Sequence, residues 1–204
     1  MRKLLLTRLI AAWLALGFAS AVEAATLSAE EALAERVLGR ADAPVTIIEY
    51  SSLTCPHCAS FHRDTLPRLV ADYIDSGKAK LVFRDFPLDG RAMAAAMLAR
   101  CGPPERYFGF LEVLFRSQDR WGQAKDGEEA LTLVGQLGGM SKDDVASCLK
   151  NEALFQGIHK IKEEGQAKFK VESTPTFIIN GEVLEGARSY ETFDKILRPL
   201  ANKP

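Results

Sequence analysis

Residues 45–58 read Val45-Thr46-Ile47-Ile48-Glu49-Tyr50-Ser51-Ser52-Leu53-Thr54-Cys55-Pro56-His57-Cys58. The first six are rich in β-branched residues and nearly all apolar, as in a central strand buried on both faces. Two cysteines then stand at the head of a helical pattern, where unpaired backbone N–H groups and the helix dipole favour a thiolate. Because thiolates attack and leave in disulfide exchange, this motif predicts a redox enzyme.

The segments on either side of the motif predict the neighbouring elements. A helical pattern runs from Cys55 to Asp75 with Pro67 inside it, and a proline there should kink the helix. Lys80 to Phe86 is typical of a second strand, parallel to the first because a helix of this length between two strands forms a crossover. Upstream, Ser28-Ala29-Glu30-Glu31 is a capping box for a short helix that should end near Gly39.

The second half of the chain is helical before it returns to strands. From Leu88 to about Asn151 the pattern predicts four short helices, and a further helix follows from about Glu152 to Lys170. Two strand-like segments then flank Asn180-Gly181, which is the strongest short signal for a hairpin. An amphipathic helix from Ser189 to about Leu200 comes last.

The resulting order is β-α-β, a helical block, then α-β-β-α. We therefore expect an α/β protein with a thioredoxin fold and an inserted all-helical domain, since a Cys-x-x-Cys beside a βαβ unit favours that redox fold. Residues 25–87 and 152–204 are assigned to the thioredoxin-like domain, and residues 88–151 to the insertion.

The first residues predict a secretory signal. Three basic residues precede an apolar run from Leu9 to Ala19, and Val22-Glu23-Ala24 offers small residues at a cleavage site. Because spanning a bilayer takes about 20 apolar residues, we expect cleavage after residue 24 rather than a membrane anchor. Cleavage would remove three basic residues and one acidic residue, so the formal charge would change from −1 to −3. No basic stripe stands out in the remainder, which argues against nucleic-acid binding.

Three kinds of site could use Cys55 and Cys58. Zinc needs four ligands, and His62 is the only nearby candidate beyond the pair, so no metal site is expected. A structural bridge across two residues closes too short a loop to stabilise much. Redox catalysis is the better account, with Cys55 as the exposed nucleophile and Cys58 more buried. His57 can stabilise the Cys55 thiolate, or it can be a solvated loop residue. His62 and His159 are interpreted as ordinary helix residues.

Two further positions are candidates for the site. Glu49 lies in an otherwise apolar strand, so it either faces outward or acts as a buried acceptor for the Cys58 proton. Thr174-Pro175 directly precedes the third predicted strand, and a proline there can simply begin a strand. In a thioredoxin-type site it would instead be a cis proline against the cysteines, with the Thr174 backbone free to pair with an extended substrate.

The stretch from Glu49 to Cys58, with Ser173-Thr174-Pro175-Thr176-Phe177-Ile178-Ile179-Asn180-Gly181 far downstream, resembles the DsbA family of thiol:disulfide oxidoreductases. The resemblance covers essentially all of the chain after residue 24. It implies a thioredoxin fold, dithiol oxidation in the periplasm, Cys55 as nucleophile, Cys58 as resolving thiol and Glu49 as buried acid. It also implies that Pro175 is the cis proline. Threonine at position 174 differs from the valine of the best-known member, and this difference bears on the choice of partner.

The resemblance also bears on Cys101 and Cys148, in the helical insertion. They could form a disulfide or remain two separately buried thiols. Some DsbA-like proteins carry such an additional bridge, which favours pairing. A loop of this length would stabilise by about 4 kcal/mol.

The partners follow from the same resemblance. Reduced secreted proteins would be the substrates, a DsbB-like membrane quinone reductase would be the reoxidant, and no cofactor is expected. We expect a monomer, because residues 25–43 are too short for a dimerisation segment. A disulfide isomerase or reductase remains the alternative enzyme. A thioredoxin-like chaperone without turnover is the alternative of another class, against which the intact cysteine pair argues.

Overall fold

The computed structural model describes residues 27–201, and the predicted signal segment, residues 1–24, lies outside them. Within this range five strands form one mixed sheet in the order β1-β3-β2-β4-β5. They are β1 (Arg36–Leu38), β2 (Val45–Ser51), β3 (Ala79–Asp85), β4 (Thr176–Ile179) and β5 (Glu182–Glu185). β2 and β3 are parallel, as predicted, whereas β1 and β4 run antiparallel to the strands they join. β4 and β5 form the predicted hairpin.

The helices of the same range are α1 (Ala29–Leu33), α2 (Pro56–Ser60), α3 (Leu66–Leu69), α4 (Gly90–Cys101), α5 (Tyr107–Arg116), α6 (Gln118–Trp121), α7 (Gly127–Leu137), α8 (Lys142–Leu149), α9 (Glu152–Phe169) and α10 (Tyr190–Ala201). Five α-helices therefore stand between β3 and α9, rather than the four predicted. The additional break falls at Ser117, whose hydroxyl donates to the carbonyl of Val113 at 2.7 Å. Such a bond from a serine side chain to the backbone competes with the hydrogen bonds of the helix. No glycine or proline marks this break in the sequence.

The segment before β2 differs from the prediction. The capping box at Ser28 does start a helix, but α1 ends at Leu33, and Arg36–Leu38 form a strand instead of continuing the helix to Gly39. Val37 pairs with Val82 of β3, so tertiary pairing determines this short segment. Gly39 has φ +98°, a conformation that glycine adopts readily and that ends the strand.

The helix that carries the cysteine motif changes its hydrogen-bonding period along its length. π-helical turns at Phe61–Thr65 and Val70–Ile74 extend α2 and α3 into one helix over residues 56–74, which we call the active-site helix. The N–H of Leu66 reaches back five residues to the carbonyl of Phe61. A π turn just before Pro67 takes up the interruption that the proline causes, so the helix continues past it.

The sheet is covered on both faces. Val45 and Ile47 of β2 pack in one core with the active-site helix and with Phe193 of α10. Tyr50, on the opposite face of β2, packs beside α9, where Gly165 leaves room for its ring. The alternation along β2 puts Glu49 on the same face as Val45 and Ile47, beneath the active-site helix. In residues 27–201 no helix is both long and apolar enough to cross a bilayer.

Candidate active site

Cys55 is the N-cap residue of the active-site helix. Its backbone is extended, with φ −80° and ψ 120°, and Pro56 occupies the first helical position, where its missing N–H costs nothing. The structure contains Cys55 and Cys58 as free thiols, and both are buried. Cys55 is only 6% exposed, so the prediction of an exposed nucleophile was wrong, although Cys58 is the more buried of the two. Sγ of Cys55 donates to the carbonyl oxygen of Thr174 at 3.3 Å. The nucleophile predicted from the sequence therefore lies between a helix N-terminus and the loop before β4.

These surroundings favour the ionised form of Cys55. The pKa of its thiol falls to about 5, chiefly because the Cys58 side chain hydrogen-bonds to the sulfur. Burial opposes this, while the Thr174 side chain and the backbone N–H groups of Cys58 and His57 add to the lowering of the pKa. The sulfur thus collects several donors aimed at one negative charge.

Cys58 behaves in the opposite way. It is fully buried, and burial raises the pKa of its thiol far above the ordinary cysteine value. The neighbouring Cys55 sulfur and the charge of Glu49 raise it further, whereas the Ser51 hydroxyl opposes them. Cys58 therefore keeps its proton while Cys55 is a thiolate, and any step at Cys58 must move a proton.

Glu49 is completely buried and reaches a histidine that the sequence analysis read as an ordinary helix residue. Nε2 of His62 lies 3.0 Å and 3.1 Å from the two carboxylate oxygens of Glu49. The His62 ring stacks on Phe115 of α5, with the ring centroids 4.0 Å apart. The interpretation of His62 was wrong. Its position one turn after Cys58 placed it on the same buried helix face, which was the available signal.

The His57 side chain is exposed at the surface of the motif. Among residues 27–201 no hydrogen bond joins its ring to Cys55, and its contribution to the Cys55 thiolate comes through its backbone N–H. A role for the ring itself stays a prediction.

Thr174 lies directly against Cys55 and precedes Pro175. The Thr174-Pro175 bond is cis. The Thr174 hydroxyl is buried and has no hydrogen-bond partner within residues 27–201, although it is close enough to Cys55 to lower the thiol's pKa. Thr174 thus offers two groups to Cys55, a carbonyl that accepts from the thiol and a hydroxyl that can donate to the thiolate.

Gln118 of α6 also supports the motif, and the sequence analysis did not single it out. Its side-chain amide donates to the carbonyls of Leu53 and Cys55 at 2.7 Å and 3.0 Å. Thr54 in the same loop donates to the carboxylate of Asp89 at 2.7 Å. The loop before the nucleophile is therefore held by the helical block. No local sequence pattern marks a glutamine on a one-turn helix 63 residues after Cys55.

The other two cysteines are bonded to each other. Cys101, at the end of α4, and Cys148, in α8, form a disulfide with Cα atoms 6.1 Å apart. It ties two helices of the helical block together. Within residues 27–201 no group of three or more His, Cys, Asp or Glu side chains is placed to hold a metal ion.

Comparison with known proteins agrees with this architecture. The family model described as thioredoxin matches residues 31–198. Alpha-DsbA1 of Wolbachia pipientis is 32% identical in a crystal structure, with a TM-score of 0.77 over 82% of this chain and 91% of that chain. The disulfide bond formation protein D of Bacillus subtilis is 30% identical over 178 residues, which are 79% of this chain and 77% of that protein. The chain belongs to the DsbA family.

Other members of the family differ in length from this chain. A relative in Rickettsia typhi, named as a protein-disulfide oxidoreductase, is 34% identical over 148 residues, which are 72% of this chain but 55% of that protein. The chain thus spans about half the length of the rickettsial relatives that it matches. The fold predicted from the sequence, a thioredoxin fold with a helical insertion, is confirmed by these matches.

Proposed function

We propose that the protein is a thiol:disulfide oxidoreductase that introduces disulfides into other proteins. The observation that carries the proposal is the divergence of the two thiols, with the pKa of Cys55 lowered to about 5 and that of Cys58 strongly raised. A stabilised Cys55 thiolate makes the reduced form more stable, and a more stable reduced form means a more oxidising disulfide. The names of the relatives support the same chemistry.

The reaction proceeds through a mixed disulfide. A substrate thiolate attacks Sγ of Cys55, the Cys55–Cys58 bond breaks, and Cys58 leaves with the electron pair and takes up a proton. A second substrate thiolate then attacks the substrate sulfur of the mixed disulfide, and Cys55 leaves as its stable thiolate. The substrate loses two electrons, and the enzyme gains them as the dithiol.

Location and partners belong to the same proposal. The predicted signal segment and the Cys101–Cys148 disulfide support an oxidising compartment such as the periplasm. Reduced secreted proteins would be the substrates, and a DsbB-like membrane quinone reductase would reoxidise the enzyme. We propose that the enzyme acts as a monomer.

The redox potential and the cellular redox state test the oxidase role. The reduction potential of the Cys55–Cys58 disulfide can be measured by equilibration with glutathione buffers. We expect it to be far more oxidising than the potential of thioredoxin, which is about −270 mV. In cells, trapping of free thiols should find the pair mostly as the disulfide. A pair found mostly as the dithiol would contradict the oxidase and favour the isomerase or reductase, kept reduced by a membrane donor.

A further inference from the structure

We propose that His62 carries the Cys58 proton between Glu49 and solvent, through a cavity between the active-site helix and α5. The proposal rests on the disulfide-exchange function proposed above and adds a role for His62, which has none in the reaction described there. The role is that of a proton relay acting through Glu49, so His62 is a positioning residue and does not touch the substrate.

Cys58 must gain or lose a proton while the enzyme is in the mixed disulfide, when solvent does not reach its sulfur directly. In the mixed disulfide, Cys55 is bonded to the partner. Cys58 is fully buried beneath it, and Glu49, whose charge Cys58 feels, is also fully buried. A proton that reaches Glu49 therefore needs a second group that connects it to water.

His62 is placed to be that group. Its Nε2 bonds to both oxygens of Glu49, and its side chain is only 7% exposed. The ring also forms part of the wall of a cavity of about 540 Å³ between the active-site helix and α5. Within residues 27–201 no hydrogen bond engages Nδ1, so this nitrogen is the one available to water in the cavity. The two nitrogens of one ring thus join a buried carboxylate to the cavity.

The ring is held in this position by aromatic contacts. Phe115 stacks on one face, and the edges of Phe61 and Phe83 approach within centroid distances of 5.6 Å and 6.0 Å. These apolar neighbours cannot exchange protons. The ionisable groups around the route are Cys58 and Tyr107, which face Glu49, and Arg63, Glu112 and Arg116, which border the cavity.

The proton balance of the route is complete. When Cys58 leaves as a thiolate, Nε2–H of His62 passes a proton to Glu49, Glu49 passes it on to the Cys58 thiolate, and Nδ1 takes a proton from water. The reverse sequence removes the proton when Cys58 attacks a mixed disulfide at Cys55. No oxidant or reductant other than the two thiol partners takes part.

Reaction of the reduced protein with oxidised glutathione separates the two sulfurs kinetically. Attack by Cys55 gives the Cys55–glutathione mixed disulfide, a step that needs no Cys58 proton. Attack by Cys58 then releases glutathione, a step that does. Acid quenching followed by mass spectrometry measures the rates of both steps. We expect His62→Ala and His62→Phe to leave the first rate unchanged and to slow the second by roughly 100-fold, the lower end for a positioned proton-transfer group.

Rescue by imidazole distinguishes a relay from a structural role. His62→Ala opens a ring-sized space beside the cavity, so added imidazole should restore the second rate, whereas the phenyl ring of the matched His62→Phe variant fills that space and should prevent rescue. Normal release of glutathione in both variants would overturn the proposal, as would slowing of both steps together or failure of imidazole to rescue His62→Ala. A wild-type protein that formed the mixed disulfide but never oxidised dithiols would contradict the proposed function instead.

Discussion

Cys55 and Cys58 lie one helical turn apart, yet their surroundings separate their ionisation. Cys55 faces backbone N–H groups and Thr174, whereas Cys58 faces apolar side chains and the charge of Glu49. The same thiol group therefore ionises readily at one end of the turn and keeps its proton at the other. The difference in pKa comes from the local surroundings of each sulfur, because the two residues are of the same type.

The pKa of Cys55 can be measured directly. Ultraviolet absorbance of the thiolate in the reduced protein should titrate with a midpoint at about 5. His57→Ala should raise this midpoint, because the exposed ring can still place positive charge near the sulfur. A midpoint above about 7.5, the upper limit for activated cysteines, would rule out the mechanism.

The same shift predicts how stability depends on pH. The pKa of Cys55 is lower in the folded protein than in the unfolded chain, so between pH 5 and 9 the unfolded chain binds the additional proton. The free energy of unfolding of the reduced protein should therefore rise by roughly 1.4 kcal/mol per pH unit in this window, relative to Cys55→Ser. The benefit is lost as pH falls through 5. Urea unfolding of both proteins across this range tests the slope, and parallel curves would contradict it.

The sequence predicted these residues unevenly. Cys55 and Cys58 were recognisable because their chemistry is carried by a short motif, and Glu49 because a carboxylate in an apolar strand is unusual. His62 and Gln118 were missed because their partners are distant in sequence. Gln118 meets Leu53 and Cys55 only after the helical block folds back onto the motif.

At the scale of elements, segments with a strong periodic pattern were predicted more reliably than short segments. The long helices and the hairpin at Asn180-Gly181 follow patterns that local physics determines. β1 was missed because three residues carry no period, and its pairing with β3 decides its conformation. The π turns around Pro67 were also beyond prediction, since the proline signals an interruption but not the form that it takes.

The packing of α9 on β2 gives a prediction about one glycine. A Cβ at Gly165 would lie 2.5 Å from Cε1 of Tyr50, so Gly165→Ala should lower the free energy of unfolding by about 1–3 kcal/mol. Gly109 of α5 has open space at the same position, and Gly109→Ala should raise stability by up to about 1 kcal/mol. Urea denaturation of the two variants provides the comparison. Equal effects would show that α9 does not pack closely at Tyr50.

At the scale of the whole molecule, a buried ion pair joins the helical block to the sheet. Arg100 of α4 donates to Asp85 of β3 at 2.5 Å and to the carbonyl of Ala32 at 2.9 Å. Asp85 and Arg100 are both almost completely buried. One side chain thus connects the insertion, the central sheet and the segment that precedes β1.

Removal of one partner of this pair should be costly. Asp85→Asn leaves Arg100 as a buried charge without its counter-charge, so we expect a loss of about 3–5 kcal/mol in the free energy of unfolding. Glu35→Gln, which removes the partner of Arg84 in a partly exposed pair, should cost at most about 1 kcal/mol. Calorimetry of both variants tests the contrast, and similar losses would contradict it.

The Cys101–Cys148 disulfide predicts a separation of stability from chemistry. The two residues are 47 positions apart, and closing a loop of that length stabilises by about 4 kcal/mol. The double change of both cysteines to alanine should lower the melting temperature while dithiol oxidation by Cys55 continues. Oxidation that disappears in a variant that still folds would assign the bridge to the catalytic cycle.

The contact between Cys55 and Thr174 means that the site is complete only when the last part of the chain has folded. Thr174 lies 119 residues after the nucleophile, so a growing polypeptide presents both active-site cysteines long before it presents Thr174, one of the groups that lower the pKa of Cys55. Until β4 pairs with β2, the Cys55 sulfur has only its local donors, the Cys58 thiol and the N–H groups at the start of the active-site helix. The complete set of donors around the Cys55 sulfur therefore forms only together with the completed fold.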